Sequence, residues 1–341
     1  MLIPQYWAQA RLRHETSVRH GATVQRWGWS DISQQAAQDH ADERARQALD
    51  DVLTAPQKHH LDADFERMER LGEYGLEGNR PIREEVLERR GATVMTRNSY
   101  GAHCLNTPDV AIADIDLPEA PEAVSLPWLA IALLIAALAT PLYLYQVYDK
   151  SGFVINITAL VVAALAWMRI TQWLRYRRFK RDTSPQAPHA QSLQRLQSFL
   201  KTHPDWGMRV YETPKGLRVI ATHATFSPDA PEVQQWFGAL QVDPIYEMLC
   251  ARQQCFRARV SAKPWRINLS GLSTMERRWP VPASAQQSRQ HWTEHYERKA
   301  SQFAACRLLQ QIGNPVLNPQ AQAFVQWHDE NCRAQSALPL A

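Results

Sequence analysis

Two aspartates two residues apart close the run Val110-Ala111-Ile112-Ala113-Asp114-Ile115-Asp116. In a strand, positions i and i+2 share a face, so the carboxylates of Asp114 and Asp116 are expected to point the same way. Carboxylates so paired attract Mg²⁺ or Mn²⁺, hard ions that take few protein oxygens and complete their shell with water and phosphate. The competing expectation is a strand end whose acids are solvated and cap the next turn. Downstream, Arg209, Lys215, Arg218, Arg252, Arg257, Arg259, Lys263 and Arg266 accumulate in a span that reads as strands and turns. Arg257 and Arg259 share one strand face, and guanidinium forks match phosphate oxygens two at a time. Lys215, Arg218, Arg257 and Arg259 are therefore the candidate phosphate-holding residues. The same charges could serve anionic lipid or a protein partner, or pair with acids on a solvated face.

A second constellation is His291-Trp292-Thr293-Glu294-His295, which fits the inverted zincin pattern H-x-x-E-H. On a helix His291 and His295 lie on one face, with Glu294 close enough to activate a zinc-bound water. The third ligand would have to come from Glu297 or Glu330, and ordinary amphipathic-helix chemistry also accounts for these residues. The five cysteines are scattered. Cys250 and Cys255 have zinc-ligand spacing but no second pair, so buried small hydrophobes in a reducing compartment are expected. No P-loop, Gly-rich dinucleotide fingerprint or contextual Ser or Cys nucleophile occurs.

The elements that must position these residues read as follows. Residues 30–54, 55–70 and 81–90 are expected to be helical, with Ser30 and Asp31 as candidate caps. Residues 92–97 and 110–117 are expected strands. Beyond a Pro/Ser linker, 192–202 is a helix, and 208–213 with 217–222 form a hairpin around Pro214-Lys215-Gly216. Residues 231–240 and 244–252 read as helices, 255–260 and 265–269 as extended, and 286–311 and 319–333 as a helical tail.

In the middle lies an uncharged stretch. No residue between Glu122 and Asp149 carries a charge, and a second apolar run follows the turn 149–152. Each run reaches the roughly 20 residues that a bilayer core requires. The expectation is a two-helix transmembrane hairpin, 126–147 and 153–174, in contact with the lipid bilayer. Trp128, Tyr143, Tyr145 and Trp173 would sit at the interfaces, and Arg169 would snorkel to one of them. Arg175, Arg177, Arg178, Lys180 and Arg181 crowd the exit, which places both termini on the cytoplasmic side of a bacterial inner membrane. A buried hairpin in a globular core is the alternative.

The chain has 341 residues, 21% charged, with net charge +4; the basic excess is local, so nucleic-acid binding does not follow from charge. The architecture expected is one α+β domain, a mixed or antiparallel sheet with flanking helices. Residues 1–122 and 191–335 supply its halves, interrupted by the hairpin (126–174) and a basic linker (175–190).

Val110–Asp116 followed by Tyr211-Glu212-Thr213-Pro214-Lys215-Gly216-Leu217-Arg218-Val219-Ile220 resembles the first two motifs of archaeo-eukaryotic-type primases and related nucleotidyltransferases. The resemblance implies that Asp114 and Asp116 ligate metal and that a nucleotide or nucleic acid is bound. Arg218 stands at that family's His position. Four phrases are similar to a family of uncharacterised bacterial transmembrane proteins: Arg26-Trp27-Gly28-Trp29-Ser30, Asn79-Arg80-Pro81-Ile82-Arg83-Glu84-Glu85, Cys255-Phe256-Arg257-Ala258-Arg259 and Lys263-Pro264-Trp265-Arg266. That likeness implies no activity. The functional expectation is a metal- and phosphate-handling module, with a non-enzymatic membrane scaffold or a zinc peptidase as alternatives.

Overall fold

The computed structural model describes residues 1–17, 20–54, 68–69, 74–75, 80–117, 153–182 and 189–341, with short helical pieces at 131–133, 135–137 and 139. The chain divides into two units, Met1–Asp116 with Gln194–Ala341, and Leu117–Leu193.

The first unit opens with a long antiparallel hairpin, β1 (Tyr6–Ser17) and β2 (His20–Ser30), whose strands alternate polar and apolar residues. Helix α1 (Gln34–Thr54) lies on it through Ala37, Ala41 and Ala45, all fully buried. Alanines four residues apart make one narrow stripe, so the helix can approach the strands closely. Gly28 completes the fit, because a Cβ there would overlap the backbone of Ala37 and Ala41.

Two four-stranded antiparallel sheets follow. One has the order β3 (Glu85–Arg90), β4 (Thr93–Arg97), β5 (His103–Thr107), β9 (Phe256–Arg259). The other runs β10 (Arg307–Gly313), β7 (Gly207–Thr213), β8 (Gly216–Ala221), β6 (Ile112–Asp116). Each sheet pairs a strand from before residue 117 with one from after 193: β5 with β9, and β6 with β8. All six residues of β8 are buried, as expected of a central strand. In this unit, helices α3 (Ala190–Thr202), α4 (Pro231–Leu240), α5 (Pro244–Gln253), α6 (Gln286–Ala300) and α7 (Pro319–Cys332) complete the mixed α+β architecture, α3 belonging to it from Gln194 onward. Proline at the first turn of α4, α5 and α7 starts each helix where no backbone donor is needed.

In the second unit, α2 spans Phe153–Asp182. The transmembrane hairpin and the two-pass inner-membrane placement are corrected here: among the described residues no helix is long and apolar enough to cross a membrane. Over 161–178 the helix carries Arg169, Arg175, Arg177 and Arg178, and the Arg177 guanidinium stands 4.8 Å over the Trp173 ring. Among the described side chains the charge-free part of the run is residues 161–168, far short of the roughly 20 residues a bilayer core requires. The first expected span, 126–147, falls largely outside the described residues, as do Trp128, Tyr143 and Tyr145.

Other expectations also change. Residues 85–90, expected in a helix, form β3, because its pairing with β4 overrides the helix propensity of its charged residues. The expected helix 286–311 stops at Ala300, and Arg307–Gly313 instead adds an edge strand beside β7. Pro264–Ile267 is a 3-10 turn rather than extended chain. Most of the expected helix 55–70 lies outside the described residues.

Candidate functional site

Asp114 and Arg218 face each other directly in the β6–β8 register, and cross-strand partners share a face. The carboxylate accepts from Arg218 Nε at 2.8 Å and from Nη2 at 3.2 Å. The third guanidinium nitrogen, Nη1, donates to the Arg259 carbonyl at 2.8 Å, joining β8 to β9 of the other sheet. Arg218 is 3% exposed. Burial opposes its charge, but the Asp114 carboxylate more than offsets this and holds the guanidinium protonated.

Asp116, two residues on, lies opposite Gly216, which contributes no side chain, so its face of the strand stays open. Partial desolvation, then the carboxylates of Asp114 and Asp243, raise Asp116 above the ordinary carboxylate range. Asp243 caps α5 by accepting from the Ile245 amide at 3.0 Å.

Asp114, Asp116, Lys215, Arg218, Arg257 and Arg259 all line one cleft of about 420 Å³, together with Asp243, Lys263 and Arg266. They do not play equal parts. Arg257 is occupied by Glu84, whose two oxygens lie 2.9 and 2.7 Å from one guanidinium nitrogen. Arg259 donates to the Ser261 carbonyl at 2.5 Å. Lys263 is shifted below its ordinary range, first by burial and then by Arg259, Arg266 and Lys215 around it. That crowding defines a cationic wall facing the Asp116 carboxylate. Tyr100 also lines the cleft, and its ring lies 5.3 Å from that of Trp265, which is 55% exposed. Burial pushes the Tyr100 hydroxyl up to about 12.

For the metal implied by the primase resemblance, Asp114 does not fit as an available ligand, since Arg218 engages both of its oxygens. Asp116 and Asp243 fit better: Asp116 has open space beside it, and the two carboxylates are near enough to repel.

A second cluster lies behind Arg218. Cys306, His328 and Cys332 are fully buried, and their ligand atoms all lie within 4.8 Å of one another, so the group could hold a metal ion. His328 Nε2 is 3.4 Å from Cys332 Sγ, 3.9 Å from Cys306 Sγ and 3.4 Å from Arg218 Nη1. Burial resists ionisation of Cys306, but Cys332, His328 and Arg218 outweigh it and hold the thiol well below its ordinary range. Sequence reasoning missed this group, although His328-x-x-x-Cys332 has ligand spacing on a helix.

The H-x-x-E-H residues form no such group. His291 and Glu294 are exposed on α6, with Glu294 accepting from Gln290 at 3.1 Å, while Tyr296 and Ala300 face the core. Cys250 and Cys255 are buried free thiols, pushed up by burial to about 12 and about 11. Comparisons with protein-family models, with curated proteins and with solved structures find no match to this chain.

Proposed function

We propose that the cleft between the two sheets binds a phosphate-bearing ligand of nucleotide size, accompanied by Mg²⁺ or Mn²⁺. The observation that carries this reading is the convergence of Lys215, Arg259, Lys263 and Arg266 on one cleft opposite Asp116 and Asp243. Cations held close together against their own repulsion are stabilised by an anion that neutralises them, and phosphate carries enough charge to do so. A volume near 420 Å³ suits a small ligand. The exposed Trp265 ring beside Tyr100 offers a stacking face to a base.

The divalent ion belongs at the Asp116 and Asp243 side. Mg²⁺ needs only one or two protein carboxylates when phosphate and water supply the rest of its shell. It would neutralise phosphate charge between the acidic edge and the cationic wall. Asp114 serves a different role: it anchors Arg218, which fixes β8 against both β6 and β9. The reading therefore keeps the metal and phosphate handling implied by the primase resemblance and drops the transfer step.

The test is calorimetric titration of ATP into the full chain, with and without MgCl₂, for wild type and Asp116→Asn. The reading expects saturable binding that magnesium strengthens in wild type and leaves nearly unchanged in the variant. An equal magnesium effect in both proteins refutes the metal assignment.

A further inference from the structure

We infer that Cys306, His328 and Cys332 bind a zinc ion, at a buried centre separate from the cleft. The ligands come from two places in the chain. Cys306 immediately precedes β10, whereas His328 and Cys332 lie four residues apart on α7 and so share one face of it. Zinc bonds of about 2.3 Å to sulfur and about 2.0 Å to nitrogen, arranged tetrahedrally, place ligand atoms roughly 3.5–4 Å apart. The separations of 3.4 and 3.9 Å from His328 Nε2 to the two sulfurs meet that requirement.

The orientation of the imidazole is an independent observation. His328 Nδ1 lies 3.0 Å from Asp329 Oδ1, and a carboxylate can only accept, so Nδ1 carries the proton. The lone pair on Nε2 then faces the two sulfurs, with Arg218 Nη1 also 3.4 Å away. Asp329 is itself fixed, accepting from Arg209 Nη2 at 2.7 Å through its other oxygen. A carboxylate holding the second nitrogen of a histidine is how ligating imidazoles are oriented and made more basic.

Charge also closes. Two thiolates cancel the two charges of the ion, while Asp114–Arg218 and Asp329–Arg209 are each neutral pairs. The loaded centre adds no net charge to a buried space, which would otherwise be costly. Sulfur and imidazole donors select zinc over the hard ions suited to the aspartates of the cleft. Three protein ligands leave a fourth position for water or another small ligand. The centre would tie α7 to the segment that enters the edge strand β10.

The experiment is elemental analysis of the full chain purified without chelator and then loaded with zinc chloride, followed by cobalt replacement. The expected result is about one zinc per chain. The cobalt form should show intense tetrahedral bands and a thiolate-to-metal charge-transfer band. Cys306→Ser/Cys332→Ser should lose both the zinc and that band, and Cys250→Ser should keep them. Because the double variant removes buried groups, the wild-type cobalt spectrum serves as the decisive readout if that variant fails to fold. Wild-type protein that takes up no zinc after loading, or gives weak octahedral cobalt bands, overturns the assignment. A Cys306–Cys332 disulfide in the freshly isolated chain overturns it as well.

Discussion

Asp114 and Arg218 form a two-point ion pair across adjacent strands, with contacts of 2.8 and 3.2 Å, and this pair sits between the cleft and the buried Cys/His group. Arg218 spends its donors on Asp114, on the Arg259 carbonyl and beside His328, so its cation is structural. Removing the guanidinium would strip Asp114 of its partner and leave the Arg259 carbonyl without this donor. Breaking a buried pair from one side costs about 3–5 kcal/mol. Asp114 retains 32% exposure, which allows water to relieve part of the penalty. Arg218→Met should therefore destabilise the fold by about 3 kcal/mol, near the lower end of that range. Urea unfolding monitored by circular dichroism measures it; a midpoint unchanged from wild type contradicts the structural role.

His223 supplies a pH dependence. Its ring packs 4.7 Å from Trp206 and 5.4 Å from Phe226, and burial lowers its pKa, opposed by the Gly207 carbonyl and Asp205. The folded state thus prefers the neutral ring, and the unfolded chain binds the proton first. Stability is complete above the ordinary histidine value of about 6.5 and falls as pH drops through the lowered folded value. His223→Phe should remove that part of the acid sensitivity. Melting temperatures of both proteins across mildly acidic pH check this; parallel profiles contradict it.

The approach of α1 to the first hairpin depends on Gly28. A methyl group there meets helix backbone rather than a side-chain tip, so it cannot be moved aside cheaply. Gly28→Ala should cost about 2–3 kcal/mol, as overpacking does in a rigid contact. Gly91→Ala is the comparison: nothing lies within 4 Å of a Cβ there, and only the positive φ of 58° opposes it. Equal denaturation midpoints for Gly28→Ala and wild type would show that α1 does not pack as described.

The sequence made the candidate cleft residues legible through local rules. Asp114 and Asp116 follow strand periodicity, and Pro214-Lys215-Gly216 marks the β7–β8 turn that carries Lys215 beside them. What spacing could not reveal was partnership. Arg218 and Arg257 read as available cations, yet Asp114 and Glu84 occupy them from positions 104 and 173 residues away. The Cys/His group was hidden for the same reason, because Cys306 joins His328 and Cys332 only once β10 pairs with β7. Strand β3 was obscured by helix-favouring charges whose pairing with β4 no local rule registers. The apolar middle of the chain pointed the opposite way: length and hydropathy spoke for a membrane span, whereas among the described residues no helix is long and apolar enough to cross one.

The most direct measurement is calorimetric titration of ATP with MgCl₂ into wild type and Lys263→Gln/Arg266→Gln, at low and at raised salt. The account predicts single-site binding to wild type that weakens with salt, because the contacts are ionic. It predicts at least a roughly tenfold loss in the double variant, about 1.4 kcal/mol or more for two charge-assisted contacts. Tripolyphosphate should compete with ATP, and adenosine should not. Equal affinity in the two proteins, or no binding to wild type at low salt, would contradict a phosphate-binding cleft.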